Sequence, residues 1–230
     1  MLTLGIDDAG RGPLIGPMIL AGVLVTKEQE KKLKNNKIRD SKIVQPNERE
    51  RLAKFIERNC LKFHIEKTFP DEIDSSIQTG TNLNTLEAIK TSRIINEINK
   101  GKFRKEKIKV IVDCPSVNIG AWHRGLFKHI ENKENLDIIC EHKADHNHVS
   151  VSAASIIAKT AREEEVSKLK EKYKKYGNIG SGYPADPITQ EFLIKNGKAL
   201  RNSGIFRKTW STWKKLFPSA EKNQMTLDGF

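Results

Sequence analysis

Gly5-Ile6-Asp7-Asp8-Ala9-Gly10-Arg11-Gly12-Pro13-Leu14-Ile15-Gly16-Pro17 is the stretch on which the fold of this chain turns. With apolar Leu2 and Leu4 ahead of it, the segment opens as a strand, Leu2 to Asp7, and runs at once into glycine-rich chain. Two adjacent carboxylates at a strand end, followed closely by a glycine-flanked arginine, set metal ligands beside a phosphate-seeking group. That combination points to a nuclease.

Outward from this segment, Ile19 to Thr26 reads as a second strand, and Leu61 to Thr68 alternates apolar and polar residues as a half-buried strand does. Lys109 to Asp113 and Asp137 to His142 supply two more, enough for a central sheet. Pro46 to Asn59 begins with proline in a first helical turn, and Asn82 to Asn99 carries Leu83, Leu86, Ile89, Ile94 and Ile98 on a helical stripe. Ser150 is placed to cap a long helix reaching about Tyr173. Beyond Tyr176 a loop with Gly177, Gly180, Gly182 and Pro184 precedes helical segments at Pro187 to Asn196 and Thr209 to Phe217, both too short to stand unsupported. The expected organisation is a sheet domain over 1–176, a small helical subdomain over 177–217 and a polar tail over 218–230.

The formal charge is +12, from 41 Lys and Arg against 29 Asp and Glu, which suits a polyanionic partner because neutralised phosphates release counterions. Lysines also simply solvate surfaces, so charge alone does not decide the partner. The longest apolar stretch, Pro13 to Val25, is broken by Gly16, Pro17 and Gly22 and is too short to span a bilayer. Asp7 and Asp8 fall where a signal peptide would need its apolar region, so a cytoplasmic, monomeric protein without membrane attachment is expected. Cys60, Cys114 and Cys140 form no Cys-x-x-Cys pair, which argues against a disulfide framework or a zinc knuckle. His142, His146 and His148 lack a partnering cysteine pair and read as a surface loop rather than a zinc site.

Four acids sit where the topology would gather them. Asp7 and Asp8 end the first strand, Asp113 ends the run Val110-Ile111-Val112, and Asp145 precedes the long helix. Taken singly, each Asp also suits a turn or a helix cap. Together they form an oxygen-only donor set, the kind that takes a hard ion such as Mg²⁺ or Mn²⁺. Two such ions about 4 Å apart would serve in-line phosphodiester hydrolysis.

The leading segment, with Asp40-Ser41-Lys42, Asn82-Leu83-Asn84-Thr85-Leu86-Glu87-Ala88, Val112-Asp113, His142-Lys143-Ala144-Asp145, Val151-Ser152-Ala153-Ala154-Ser155-Ile156-Ile157-Ala158-Lys159 and Gly182-Tyr183-Pro184, resembles ribonuclease HII, particularly its archaeal branch. The resemblance implies an α/β, ribonuclease H-like fold: a central five-stranded mixed sheet flanked by helices, plus a small C-terminal helical subdomain. It implies an endonuclease that hydrolyses the RNA strand of RNA/DNA hybrids and incises 5′ to ribonucleotides embedded in DNA. Carried over by position, Asp7, Asp8, Asp113 and Asp145 are the acidic metal-binding and catalytic set. One residue departs from the pattern: the family usually has Glu directly after the first Asp, and Asp8 is shorter by one bond, about 1.5 Å. A catalytically weakened, hybrid-binding form held at the sliding clamp is therefore the alternative.

Gly10-Arg11-Gly12 suits a ribose and phosphate, because glycine lets backbone amides approach closely and the guanidinium supplies fixed donors; an ordinary tight turn is the competing explanation. The resemblance implies that this segment reads the 2′-hydroxyl, that Tyr183 stacks at the RNA-to-DNA junction, and that Lys42 contacts a phosphate. Simple packing for Tyr183 and solvation for Lys42 compete with those roles. A ribonuclease H-like nuclease for DNA junctions would ignore the 2′-hydroxyl, and Gly10-Arg11-Gly12 argues against it. In the tail, Gln224, Leu227 and Phe230 recur at three-residue spacing and resemble the peptide that docks on the sliding clamp PCNA, with one terminal aromatic where fuller versions have two.

Overall fold

Met18 to Val25 is apolar or glycine throughout, and all eight residues are buried, as a strand covered on both faces requires. It is β2, the neighbour of β1 (Leu2–Ala9), in the computed structural model, which describes residues 1–38 and 46–218. With β3 (Lys62–Thr68), β4 (Ile108–Asp113) and β5 (Leu136–Glu141) these strands form a mixed sheet in the order β3-β2-β1-β4-β5. The first three strands pair antiparallel; β1, β4 and β5 run parallel.

One face of the sheet packs on α3 (Pro70–Gln78), α4 (Leu83–Ile98) and α5 (Ile119–Lys128), burying Leu4, Ile6, Val110 and Val112 against Ile94, Ile95, Trp122 and Leu126. The other face packs on α1 (Lys27–Asn35), α2 (Pro46–Asn59) and α7 (Val149–Lys172), with Ile19, Ala21 and Val23 against Ala153, Ala154 and Ile157. The first turn of α7 lies directly on β1 at Gly5, where any Cβ would come within 2.2 Å of the Ser150 carbonyl carbon. Glycine is the condition for that contact. Among the described residues no helix is long and apolar enough to cross a membrane.

A third apolar cluster joins Leu14 and Ile15 of the glycine-rich loop to Tyr173, Ile179, Phe192, Phe206 and Trp213, and so ties α8 (Pro187–Asn196) and α9 (Ser211–Leu216) to the loop. A single bridge between Ile15 and Phe206 marks the seam.

Three sequence expectations change. Ser150 is not the cap of α7: His148 occupies the cap position, and Ser150 lies buried inside the first turn, where the close approach at Gly5 admits only a small residue. The last helix is shorter than Thr209 to Phe217, because the amides of Lys208 and Thr209 donate instead to buried Asp74, at 2.6 and 2.9 Å. Helices α1, α3 and α5 were not anticipated. All three are short, at nine, nine and ten residues; the first buries only Leu33, and the third contains Gly120 and Gly125.

Candidate active site

The parallel register pairs Ile6 of β1 with Val112 of β4, so Asp7 and Asp113 emerge side by side one residue further on. Side chains alternate along a strand, which sends Asp7 toward α7 and Asp8 toward α4. Asp7 is 7% exposed, and its Oδ1 accepts from the Asp8 amide at 2.7 Å. Asp113 Oδ1 accepts from the Ala144 amide at 3.1 Å. That amide opens α6 (Ala144–Asn147), so Asp145, also buried, follows one residue from the atom that holds Asp113. The structure thus gathers the four acids at one end of the sheet, with direct electrostatic coupling among Asp7, Asp8 and Asp113.

A fifth acid joins them. Glu87, on α4, is 1% exposed and neither carboxylate oxygen accepts a hydrogen bond; it lines a small cavity with Asp7, Asp8 and Asp113. Sequence reading passed over it because it lies in a helix whose pattern is read for apolar residues. Burial and the charges of Asp8 and Asp113 raise the Asp7 carboxyl well above the ordinary carboxylate range. Burial raises Asp8 to about 6, although Arg11 opposes the shift. Glu87 is pushed up to about 8 by burial and then by Asp8.

Buried like charges that raise one another's pKa are the environment a cation relieves, and the donors are all oxygen, which fits a hard divalent ion. Among the described residues no group of three or more His, Cys, Asp or Glu side chains stands close enough together to hold a metal ion by itself. Mg²⁺ rarely uses a complete protein cage: it retains waters and takes one or two carboxylates together with substrate phosphates. The residues present therefore fit the ion, with coordination positions left for water and substrate.

Beside the acids lies a cleft of about 390 Å³ bordered by Asp8, the Gly10–Gly12 loop, Lys159, Arg162 and Tyr183. Gly10 adopts φ +84°, and a Cβ there would lie 2.4 Å from Arg162 Cδ, so the loop passes where only glycine fits. The Arg11 guanidinium is already engaged within the protein: Nη2 donates to Asn84 Oδ1 at 2.6 Å, and Nη1 lies 3.1 Å from Glu87 Oε2. What the loop offers a ligand is mainly backbone. Tyr183 is 43% exposed, with the Arg162 guanidinium 5.3 Å from its ring centroid, while Arg162 Nη2 donates to Ser181 O at 3.2 Å. Lys159 and Arg162 were not singled out from sequence; both sit on α7, whose charged residues read there as a solvated outer face.

Lys42 and the tail residues Gln224, Leu227 and Phe230 lie outside the described residues. The histidines near Asp145 point to separate partners, His142 Nδ1 to Cys114 O at 3.0 Å and His148 Nε2 to Glu141 Oε1 at 2.9 Å.

Comparison with known proteins identifies the company this chain keeps. The family model for Ribonuclease HII matches residues 4–213. The Ribonuclease HII of Pyrococcus furiosus is 39% identical over 229 residues, spanning 98% of this chain and 96% of its own length. Among solved structures, the ribonuclease H2 from Pyrococcus horikoshii OT3 superposes with a TM-score of 0.81 at 34% identity, covering 94% of this chain and 97% of that one. A chain of the PCNA:RNase HII complex from Archaeoglobus fulgidus superposes with a TM-score of 0.77 at 33% identity, covering 91% and 95%. The mixed five-stranded sheet flanked by helices is the one these structures share.

Proposed function

The chain belongs to the ribonuclease HII family, whose activity is endonucleolytic hydrolysis of RNA in RNA/DNA hybrids, and on that premise we propose that it also incises 5′ to ribonucleotides embedded in duplex DNA. The observation that carries this is the convergence of Asp7, Asp8 and Asp113 beside a cleft bordered by the Gly10–Gly12 backbone. Asp7, Asp8, Asp113 and Asp145 would hold two Mg²⁺ or Mn²⁺ ions, which supply an activated water and stabilise the leaving oxygen. Attack on phosphorus breaks the P–O3′ bond and leaves 3′-hydroxyl and 5′-phosphate ends.

The chain's own residues set position and selection. The Asp8 amide orients the Asp7 carboxylate, and the Ala144 amide orients Asp113. Amides of the Gly10–Gly12 loop bond the ribose 2′-hydroxyl, the atom that separates RNA from DNA. Tyr183 offers an aromatic face at the junction, while Lys159, Arg162 and Lys42 attract the phosphate backbone. Gln224, Leu227 and Phe230 dock on PCNA, supported by a similar chain having been solved with that clamp. One chain carries the whole set, so a monomer suffices.

Cleavage of an RNA/DNA hybrid titrated with Mg²⁺ and Mn²⁺ tests the metal dependence: activity must rise from nothing with added ion, and cleavage at full rate in chelator overturns it. The second reading, a weakened hybrid-binding form, rests on Asp8, whose carboxyl is short and shifted to about 6. Asp8→Glu separates the two, because only a weakened form gains turnover strongly at constant binding.

A further inference from the structure

Arg207 is 0% exposed, a buried cation 191 to 197 residues from its partners; its hydrogen bonds go to backbone carbonyls, and only its charge reaches Asp8 and Glu87. Its Nη2 donates to Gly10 O at 2.6 Å and to Gly16 O at 3.0 Å, its Nη1 to Arg11 O at 2.7 Å, and its Nε to Gly16 O at 3.1 Å. Trp210 Nε1 donates to Gly12 O at 3.2 Å. Three successive carbonyls, those of residues 10, 11 and 12, are therefore held from one C-terminal segment.

Peptide units are planar, and none of the described ones is cis, so each N–H points opposite to the carbonyl of the same unit. The unit carrying Gly10 O carries the Arg11 amide, and the unit carrying Arg11 O carries the Gly12 amide. Turning both carbonyls onto Arg207 turns both amides the other way, and among the described residues neither amide has a hydrogen-bond partner. The unit carrying Gly12 O ends in Pro13, which has no N–H to present.

We infer that Arg207 is a positioning residue for substrate selection: it gathers the loop carbonyls behind the loop and so presents the Arg11 and Gly12 amides to the ribose. The inference rests on the proposed role of the loop in reading the 2′-hydroxyl. A guanidinium is suited to the task because its planar fork reaches several acceptors at once, which an ammonium does not. Burial lowers its pKa to about 9, still above neutrality, so the donors remain charged. The segment is anchored in turn by Asp74 of α3, which accepts from Lys208 N, Thr209 N and Thr209 Oγ1.

Arg207→Lys and the milder Trp210→Phe test this in the full-length protein, below the melting temperature of each variant. Binding without divalent ions is compared for a duplex with one ribonucleotide and its all-DNA counterpart. The ribonucleotide preference should fall about 10-fold or more in Arg207→Lys and a few-fold in Trp210→Phe, with KM raised more than kcat is lowered. The ¹⁵N–¹H signals of Arg11 and Gly12 should shift in both. Variants that lose only melting temperature, keeping the preference, KM and those two signals, overturn the inference; should Arg207→Lys fail to fold, Trp210→Phe alone decides. Wild-type protein without any ribonucleotide preference would instead remove the role assigned to the loop, and the amide shifts would still report whether Arg207 sets its geometry.

Discussion

At the end of β1, Asp7, Asp8, Asp113 and Glu87 are crowded together, and burial with neighbouring charge raises the carboxyls of Asp7, Asp8 and Glu87, whereas a few residues on, carbonyls of the Gly10–Gly16 backbone are answered by a buried arginine. Arg11, Lys159 and Arg207 offset only part of the upward shift in the acid cluster, and a bound cation would complete the offset under the proposed function. The loop has the carbonyls of Gly10, Arg11, Gly12, Leu14 and Gly16 engaged and is shaped before anything binds. Under the proposed function, catalysis and selection would use opposite strategies at adjoining positions: one region gives up stability to attract a cation, the other uses hydrogen bonds to hold amides still. Substitutions should separate them by sign.

The largest separation is expected from Asp113→Asn. Cleavage should fall at least about 100-fold, while the metal-free protein should melt no lower than wild type because a repelling charge is gone. Loss of activity accompanied by a large fall in melting temperature would show instead that Asp113 is a structural residue. Asp74→Ala should do the reverse, costing about 2–4 kcal/mol of stability through three lost bonds to a buried carboxylate, as denaturant unfolding would measure. A ΔΔG below about 0.5 kcal/mol would mean that the C-terminal segment is held by its apolar contacts alone.

Proton linkage sharpens the contrast. Asp8 rises from an ordinary 3.8 to about 6, and Glu87 from 4.5 to about 8, so the folded state keeps protons that the unfolded chain releases. Metal-free protein should therefore lose stability as pH climbs from about 4 toward 8, with Mg²⁺ restoring part of the loss at the upper end. A melting temperature that rises across that window, or is indifferent to Mg²⁺, would contradict the assignment of a strained acid cluster. Asp8→Glu is a smaller change: turnover should move no more than about 3-fold with hybrid binding unaltered, and a gain of about 100-fold at constant binding would favour the weakened, hybrid-binding form. Removing residues 219–230 should be smallest of all: cleavage of short duplexes is unchanged, and only retention on PCNA is lost in a pull-down.

How far these regions could be read from sequence follows the same division. Asp7 and Asp113 were legible because each closes an apolar run, and strand ends in a parallel pair bring such residues together with few alternatives. Gly10 was legible as a loop position that needs glycine, whereas Gly12 has room for a Cβ; and where the sequence suggested that the Arg11 side chain faces substrate, the structure pairs it with Asn84 and Glu87. Arg207 was invisible: its meaning depends on carbonyls almost the whole chain away, and backbone acceptors carry no sequence signature. Glu87 was quoted only as part of a family-like segment, because a lone acid on an apolar stripe does not reveal what it faces. Ser150 misled because a serine before a helical pattern signals a cap, and only the packing on Gly5 shows that the helix starts earlier.

The most direct measurement is cleavage of a duplex carrying one embedded ribonucleotide, set against the identical all-DNA duplex, in Mg²⁺ and in Mn²⁺. A single incision on the 5′ side of the ribonucleotide, with 3′-hydroxyl and 5′-phosphate ends and an untouched all-DNA control, is the predicted result. No incision with either ion, or equal cutting of both duplexes, would contradict it.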